Sequence, residues 1–114
     1  MITLTNVGSS YDAIAAARGL GLQDVNMTGV TQIVFRVRVN KLGTGTQSWQ
    51  LWNETDGSEI ARIDDASVAG DNKNLVTTVN VNLTGIKTLR VRAKSTVATD
   101  DPIFYGASIL PVFA

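Results

Sequence analysis

The chain has 114 residues, with ten Lys and Arg against ten Asp and Glu, and neither Cys nor His. That length is one domain spanning residues 1–114, large enough to bury a single core without disulfides or metal. Balanced charge argues against nonspecific binding to nucleic acid, and the missing residue types exclude disulfides, thiolate nucleophiles, Cys/His zinc sites and imidazole acid–base chemistry.

Residues 2–6 form the first strand candidate, closed by Gly8-Ser9-Ser10. Ile2 and Leu4 alternate with Thr3 and Thr5, a pattern that buries one face when paired. Residues 1–6 are therefore expected either to pair within the chain's own sheet or to reach a partner as an arm, since an unpaired edge is a template for strand addition. Residues 11–18 stay open between an Ala-rich helix capped at Ser10 and a strand. Residues 19–25 read as extended. Residues 32–40 are the clearest strand, with Ile33, Phe35, Val37 and Val39 on one face and Gln32, Val34, Arg36 and Arg38 on the other.

A glycine-rich connection, residues 41–46, leads to a strand over 47–53 with Trp49 and Leu51 facing in and Gln50 and Trp52 facing out. Asp56-Gly57 marks a hairpin, because Gly tolerates the positive φ of a tight turn. Residues 59–63 return as its partner, and 64–74 read as a polar, acidic loop. Residues 75–81, 87–95 and 103–112 complete the strands. Short strands with a turn every eight to twelve residues or so predict an all-β, antiparallel β-sandwich. The long crossing loops favour an eight-stranded jelly roll. Phe35, Val37, Trp49, Leu51, Leu89 and Val91 are the expected core.

One segment occurs twice. Val25-Asn26-Met27-Thr28-Gly29-Val30 runs into Ile33-Val34-Phe35-Arg36-Val37, and Val81-Asn82-Leu83-Thr84-Gly85-Ile86 runs into Leu89-Arg90-Val91-Arg92-Ala93, an offset of 81 − 25 = 56. Each copy is a polar turn followed by a strand of period two. Two such units predict a sandwich of related halves.

Chemistry is sparse. Asp56, Glu59, Asp64, Asp65, Asp71, Asp100 and Asp101 suggest loop carboxylates for calcium. An EF-hand with Gly57 at its sixth position would need ligands at Trp52 and Ile63, which cannot serve. The expectation is a solvated acidic rim, with no metal, no cofactor and no catalytic residues. Arg36, Arg38, Arg90, Arg92 and Lys94 project outward from the two repeat strands and would form one basic patch if those strands shared a sheet. No aromatic residue is interleaved among them, as single-strand nucleic-acid binders require, which leaves a docking surface for an acidic partner or for the acidic loops of a neighbouring copy, or a solvated face of cross-strand ion pairs. Trp52, facing out, could stack on a sugar, anchor an interface or lie under a neighbouring loop. Residues 1–5 carry no basic n-region or signal-length apolar run. No stretch approaches the roughly 20 apolar residues of a membrane span. Synthesis in the cytoplasm without a membrane partner is expected.

With these segments in hand, the chain resembles the small jelly-roll decoration proteins, also called cement or head-stabilisation proteins, of tailed bacteriophages. The resemblance is carried by Val25-Asn26-Met27-Thr28-Gly29 leading into Gln32-Ile33-Val34-Phe35-Arg36-Val37-Arg38-Val39, and by Trp49-Gln50-Leu51-Trp52-Asn53-Glu54-Thr55-Asp56-Gly57. It implies a structural virion protein, not an enzyme, that binds the major capsid protein and other copies of itself, as a dimer or trimer at symmetry axes. Partner contacts would fall to Arg36, Arg38, Trp52, Arg90, Arg92, Ile2 and Leu4. The alternative is a carbohydrate- or receptor-binding module of a phage fibre or tail, resting on Trp52.

Overall fold

The structure, a computed structural model, describes residues 2–3, 8–9, 11–13 and 22–113. Among the described residues nine strands follow in chain order: β1 (Ile2–Thr3), β2 (Asp12–Ala13), β3 (Leu22–Asn26), β4 (Val30–Lys41), β5 (Gln47–Asn53), β6 (Ser58–Asp65), β7 (Gly70–Asn80), β8 (Ile86–Ser95) and β9 (Ile103–Phe113). All pairings among them are antiparallel. A front sheet runs β1-β9-β4-β7, and a back sheet runs β2-β8-β5-β6 with β3 also on the β2 side of β8.

Counting β2 and β3 as two pieces of one position leaves eight positions. The first then pairs with the eighth (β1 with β9), the second with the seventh (β2 and β3 with β8), the third with the sixth (β4 with β7) and the fourth with the fifth (β5 with β6). That is a long hairpin rolled into two sheets, the wrapping of a jelly roll. The expected antiparallel β-sandwich is present.

Alternation builds the core. In β4 the buried residues Ile33, Phe35, Val37 and Val39 point between the sheets. They meet Trp49 and Leu51 of β5, Leu89, Val91 and Ala93 of β8, and Phe104 of β9. The Trp49 and Phe104 rings stack with centroids 5.8 Å apart. All six side chains expected in the core are buried.

The sequence repeat is a structural repeat. In the first copy β3 lies in the back sheet and β4 in the front sheet; in the second, β7 lies in the front sheet and β8 in the back. Each copy is thus an arch that crosses the sandwich, and each arch pairs with the other. The registers correspond under the offset of 56: Leu22 faces Arg90 as Thr78 faces Val34, Gln23 faces Leu89 as Val79 faces Ile33, and Asp24 faces Thr88 as Asn80 faces Gln32. Gly29 and Gly85 both take positive φ, 82° and 79°. The two turns also touch: Met27 N donates to the Gly85 carbonyl at 2.8 Å, and Gly85 N donates to Thr28 Oγ1 at 2.8 Å.

One expectation changes, and two open readings are settled for the described residues. The connection expected over residues 64–74 shrinks to 66–69, because β6 continues to Asp65 and β7 begins at Gly70. Polar side chains hid this strand from periodicity, but the β4 backbone extends far enough to pair with it, Arg38 facing Asn74 and Val39 facing Lys73. Asp12 and Ala13 pair with β8 as a short strand, which settles that part of the open segment, while residues 14–18 lie outside the described residues. The backbone of Ile2 and Thr3 pairs with Phe104 and Ile103 of the chain's own front sheet. Leu4 lies outside the described residues.

Candidate functional site

The arch geometry decides where the basic residues go. Arg36 and Arg38 stand on the outer side of β4 in the front sheet, whereas Arg90, Arg92 and Lys94 stand on the outer side of β8 in the back sheet. These are opposite faces of the molecule, so the single basic patch does not form. The reason is that each repeat sends its second strand to the other sheet. Under the offset of 56, Arg36 corresponds to Arg92 and Arg38 to Lys94, which makes one face a control for the other.

On the back face the charges are occupied. The Arg92 guanidinium lies 4.4 Å from the Trp52 ring centroid and 5.5 Å from that of Tyr11, and its Nη2 donates to the Tyr11 carbonyl at 3.3 Å. Lys94 Nζ sits 4.4 Å from the Tyr11 ring centroid, a stacking favoured by the ring quadrupole. Arg90 pairs with Glu54 at 3.3 Å, and Arg62 with Asp64 at 3.5 Å and Glu59 at 3.9 Å. Ser48 Oγ donates to Asp64 at 2.6 Å and Gln50 Nε2 to Glu59 at 3.0 Å. Burial raises the Tyr11 pKa, an effect that the nearby Arg62 and Ser48 side chains partly offset. Trp52 is half-buried under Arg92, so one face of its ring is already covered.

The front face is open. Across the sheet, Arg36 lies between Val76 of β7 and Ser108 of β9, Arg38 between Asn74 and Gly106, and Val34 between Thr78 and Leu110. Val76 and Leu110 are 55% and 59% exposed. Together with half-buried Val34 and Val112 they break the polar-out pattern of a solvated antiparallel face. β9 carries one extra residue here, since Arg38 faces Gly106 while Val39 faces Phe104. Such a bulge re-aims the intervening side chain, and that side chain is Tyr105.

The result is a groove of about 390 Å³ lined by Arg36, Arg38, Asn74, Tyr105, Gly106 and Ser108. Gly106 deepens it, since a Cβ there would meet no atom within 4 Å. Arg38 donates to Asn72 Oδ1 and lies 5.9 Å from the Tyr105 ring centroid. Tyr105 Oη donates to Asp71 at 2.6 Å, a bond that raises the tyrosine pKa, with burial adding to it. Among the described residues Arg36 has no hydrogen-bond or ion-pair partner.

The acidic residues do not form one rim. Asp56 is held by Lys87 at 2.9 Å beside the hairpin turn, and Asp65 is buried against Lys73 at 2.9 Å. Asp100 is also buried, contrary to the expectation of a solvated carboxylate. It accepts from Ser95 Oγ at 2.8 Å, Gly45 N at 3.1 Å and Gln47 Nε2 at 3.4 Å. Burial alone would raise its pKa, but these bonds outweigh it and hold the carboxyl below its ordinary range. Among the described residues no group of three or more acidic side chains is arranged to hold a metal ion.

Of the residues expected to bind a partner, the structure brings Arg36 and Arg38 together on the front and Arg90, Arg92 and Trp52 together on the back. Tyr105 and Tyr11 were missed. The trace of Tyr105 in the sequence is that Phe104-Tyr105 interrupts a strict alternation at the bulge, and Tyr11 leaves none.

No protein-family model matches the chain, and no curated protein matches it. Among solved structures it is similar to a family 35 carbohydrate binding module from an environmental isolate, with 12% identity and a TM-score of 0.49, covering 94% of this chain and 89% of that one.

Proposed function

We propose that the chain is a non-catalytic structural protein of a phage particle that docks on the capsid shell through its front face. One observation carries this reading: Val76 and Leu110 stand exposed beside Arg36 and Arg38, whereas the corresponding back-face cations are covered by Tyr11 and Trp52. Apolar side chains mixed with Arg are the composition of protein interfaces. Many copies, each with a modest contact, would then reinforce a shell by multivalency. The resemblance of the repeat and hairpin segments to phage decoration proteins supports the particle as the setting. Quantitative mass spectrometry of purified particles encoding the chain tests it. The expected result is a copy number matching a class of symmetry-related shell positions; absence from the particle overturns the proposal.

A second reading is a carbohydrate- or receptor-binding module. It is favoured by the groove at Tyr105 and the two guanidinium groups rather than by Trp52. Glycan binding that survives Trp52→Ala and disappears in Arg36→Gln is its expected signature.

A further inference from the structure

We infer that the front face takes an extended acidic segment of its protein partner, with carboxylates at alternate positions seated on Arg36 and Arg38; this rests on the docking reading above. Both guanidinium groups leave the same side of β4, two residues apart, so their stems are spaced by about 7 Å at the rise of a strand. An extended peptide repeats its same-side groups at that spacing, so alternate Glu or Asp side chains meet both cations in register. Arginine's planar fork suits bidentate pairing with carboxylate. Arg38 is already oriented by Asn72 and the Tyr105 ring, and Arg36 is unpartnered among the described residues.

Other features narrow the occupant. The local charge is positive: among the described residues no carboxylate lines the groove, and Asp71 beside it is engaged by the Tyr105 hydroxyl and by the backbone N–H of Asn72 at 2.7 Å. A second copy laid face to face would set Arg36 and Arg38 against their own counterparts, and like charges oppose that contact. An acidic glycan would offer the same charge, but it stacks on aromatic rings. Among the described residues the one ring lining the groove, Tyr105, faces Arg38 and is tied through its hydroxyl. Val76 and Leu110 flank the cations instead, and they suit the apolar side chains of a peptide.

The test is a nuclear magnetic resonance titration with the peptide acetyl-Glu-Val-Glu-Val-Glu-amide, its Gln-for-Glu counterpart and polygalacturonate. The acidic peptide should shift the amides of residues 36, 38, 106 and 108 and leave 90–94 unmoved. Its affinity should fall by about tenfold or more in Arg36→Gln/Arg38→Gln, the scale of lost hydrogen bonds to charged groups. It should also weaken from about 0.1 M to about 1 M salt, as the screening length shortens from about 10 to about 3 Å. Arg92→Gln should change nothing. No shift, an equal response to the Gln peptide, or a response to polygalacturonate alone overturns the inference. Particle binding separates it from the docking reading. Binding lost in Leu110→Asp but kept, with unchanged salt dependence, in Arg36→Gln/Arg38→Gln leaves the docking face standing and removes the acidic partner. Binding indifferent to both variants, with melting temperatures intact, removes the docking face itself.

Discussion

Single residues hold the loop end of the sandwich together. Asp100 bonds to Gly45 N, Gln47 Nε2 and Ser95 Oγ, tying the 96–101 connection to the start of β5. Gly43, at φ 103°, allows this, since a Cβ there would stand 2.1 Å from Asp100 Oδ1. Gly43→Ala should therefore cost more than the roughly 1–2 kcal/mol of a left-handed backbone alone, because the Asp100 bonds, each worth about 1.5–3 kcal/mol, would be displaced. A chemical denaturation loss under about 1 kcal/mol would show that the loop yields, as surface sites do. Asp100 also sets a pH dependence. Its folded pKa is depressed, so its stabilisation is full above the ordinary carboxylate value of about 3.9 and is lost as pH falls through the lower folded value. Asp100→Asn should be less stable than wild type at neutral pH, and the gap should close below about pH 4. A gap unchanged down to pH 2 or so would contradict the carboxylate's role. Phe35→Ala, deep in the core, should cost about 3–5 kcal/mol. Core residues were legible because period two exposes them in the sequence. Asp100 was not, because a buried loop carboxylate and a solvated one are spelled alike.

At the scale of elements, the repeat is the organising unit. Two arches with matching registers pair with each other, and their Thr-Gly turns meet at one end of the sandwich. Gly29 and Gly85 share a conformation and differ little in surroundings: an added Cβ would lie 3.6 Å from Phe113 at the first and in open space at the second. Gly29→Ala and Gly85→Ala should each cost about 1–2 kcal/mol, the price of positive φ for a residue with a side chain. Costs differing by more than about 1 kcal/mol in urea unfolding would mean the turns are not equivalent. Strands β4, β5 and β8 were readable from alternation, and the hairpin from Asp56-Gly57. The first part of β7 was not, since Asp71, Asn72 and Asn74 read as loop and become strand only by pairing with β4. The placement of Arg36 and Arg92 on opposite faces was also hidden. A repeated turn and strand look the same whether the turn makes a hairpin or an arch, and only the pairing partners tell them apart.

At the scale of the whole molecule, the pseudo-symmetry gives two outer faces with equivalent cations and opposite fates. The back face pairs its charges internally and covers Trp52; the front face leaves Val76, Leu110 and Arg36 exposed around a groove. That asymmetry is the basis for the proposed docking surface, and hydroxyl-radical footprinting of the chain free and mixed with phage particles tests it directly. Val76, Tyr105 and Leu110 should be protected from oxidation on the particle, while Tyr11, Trp52 and Ile86 keep their free-state reactivity. Protection of Trp52 and Tyr11 with Leu110 and Tyr105 unchanged would place the contact on the back face and contradict the account.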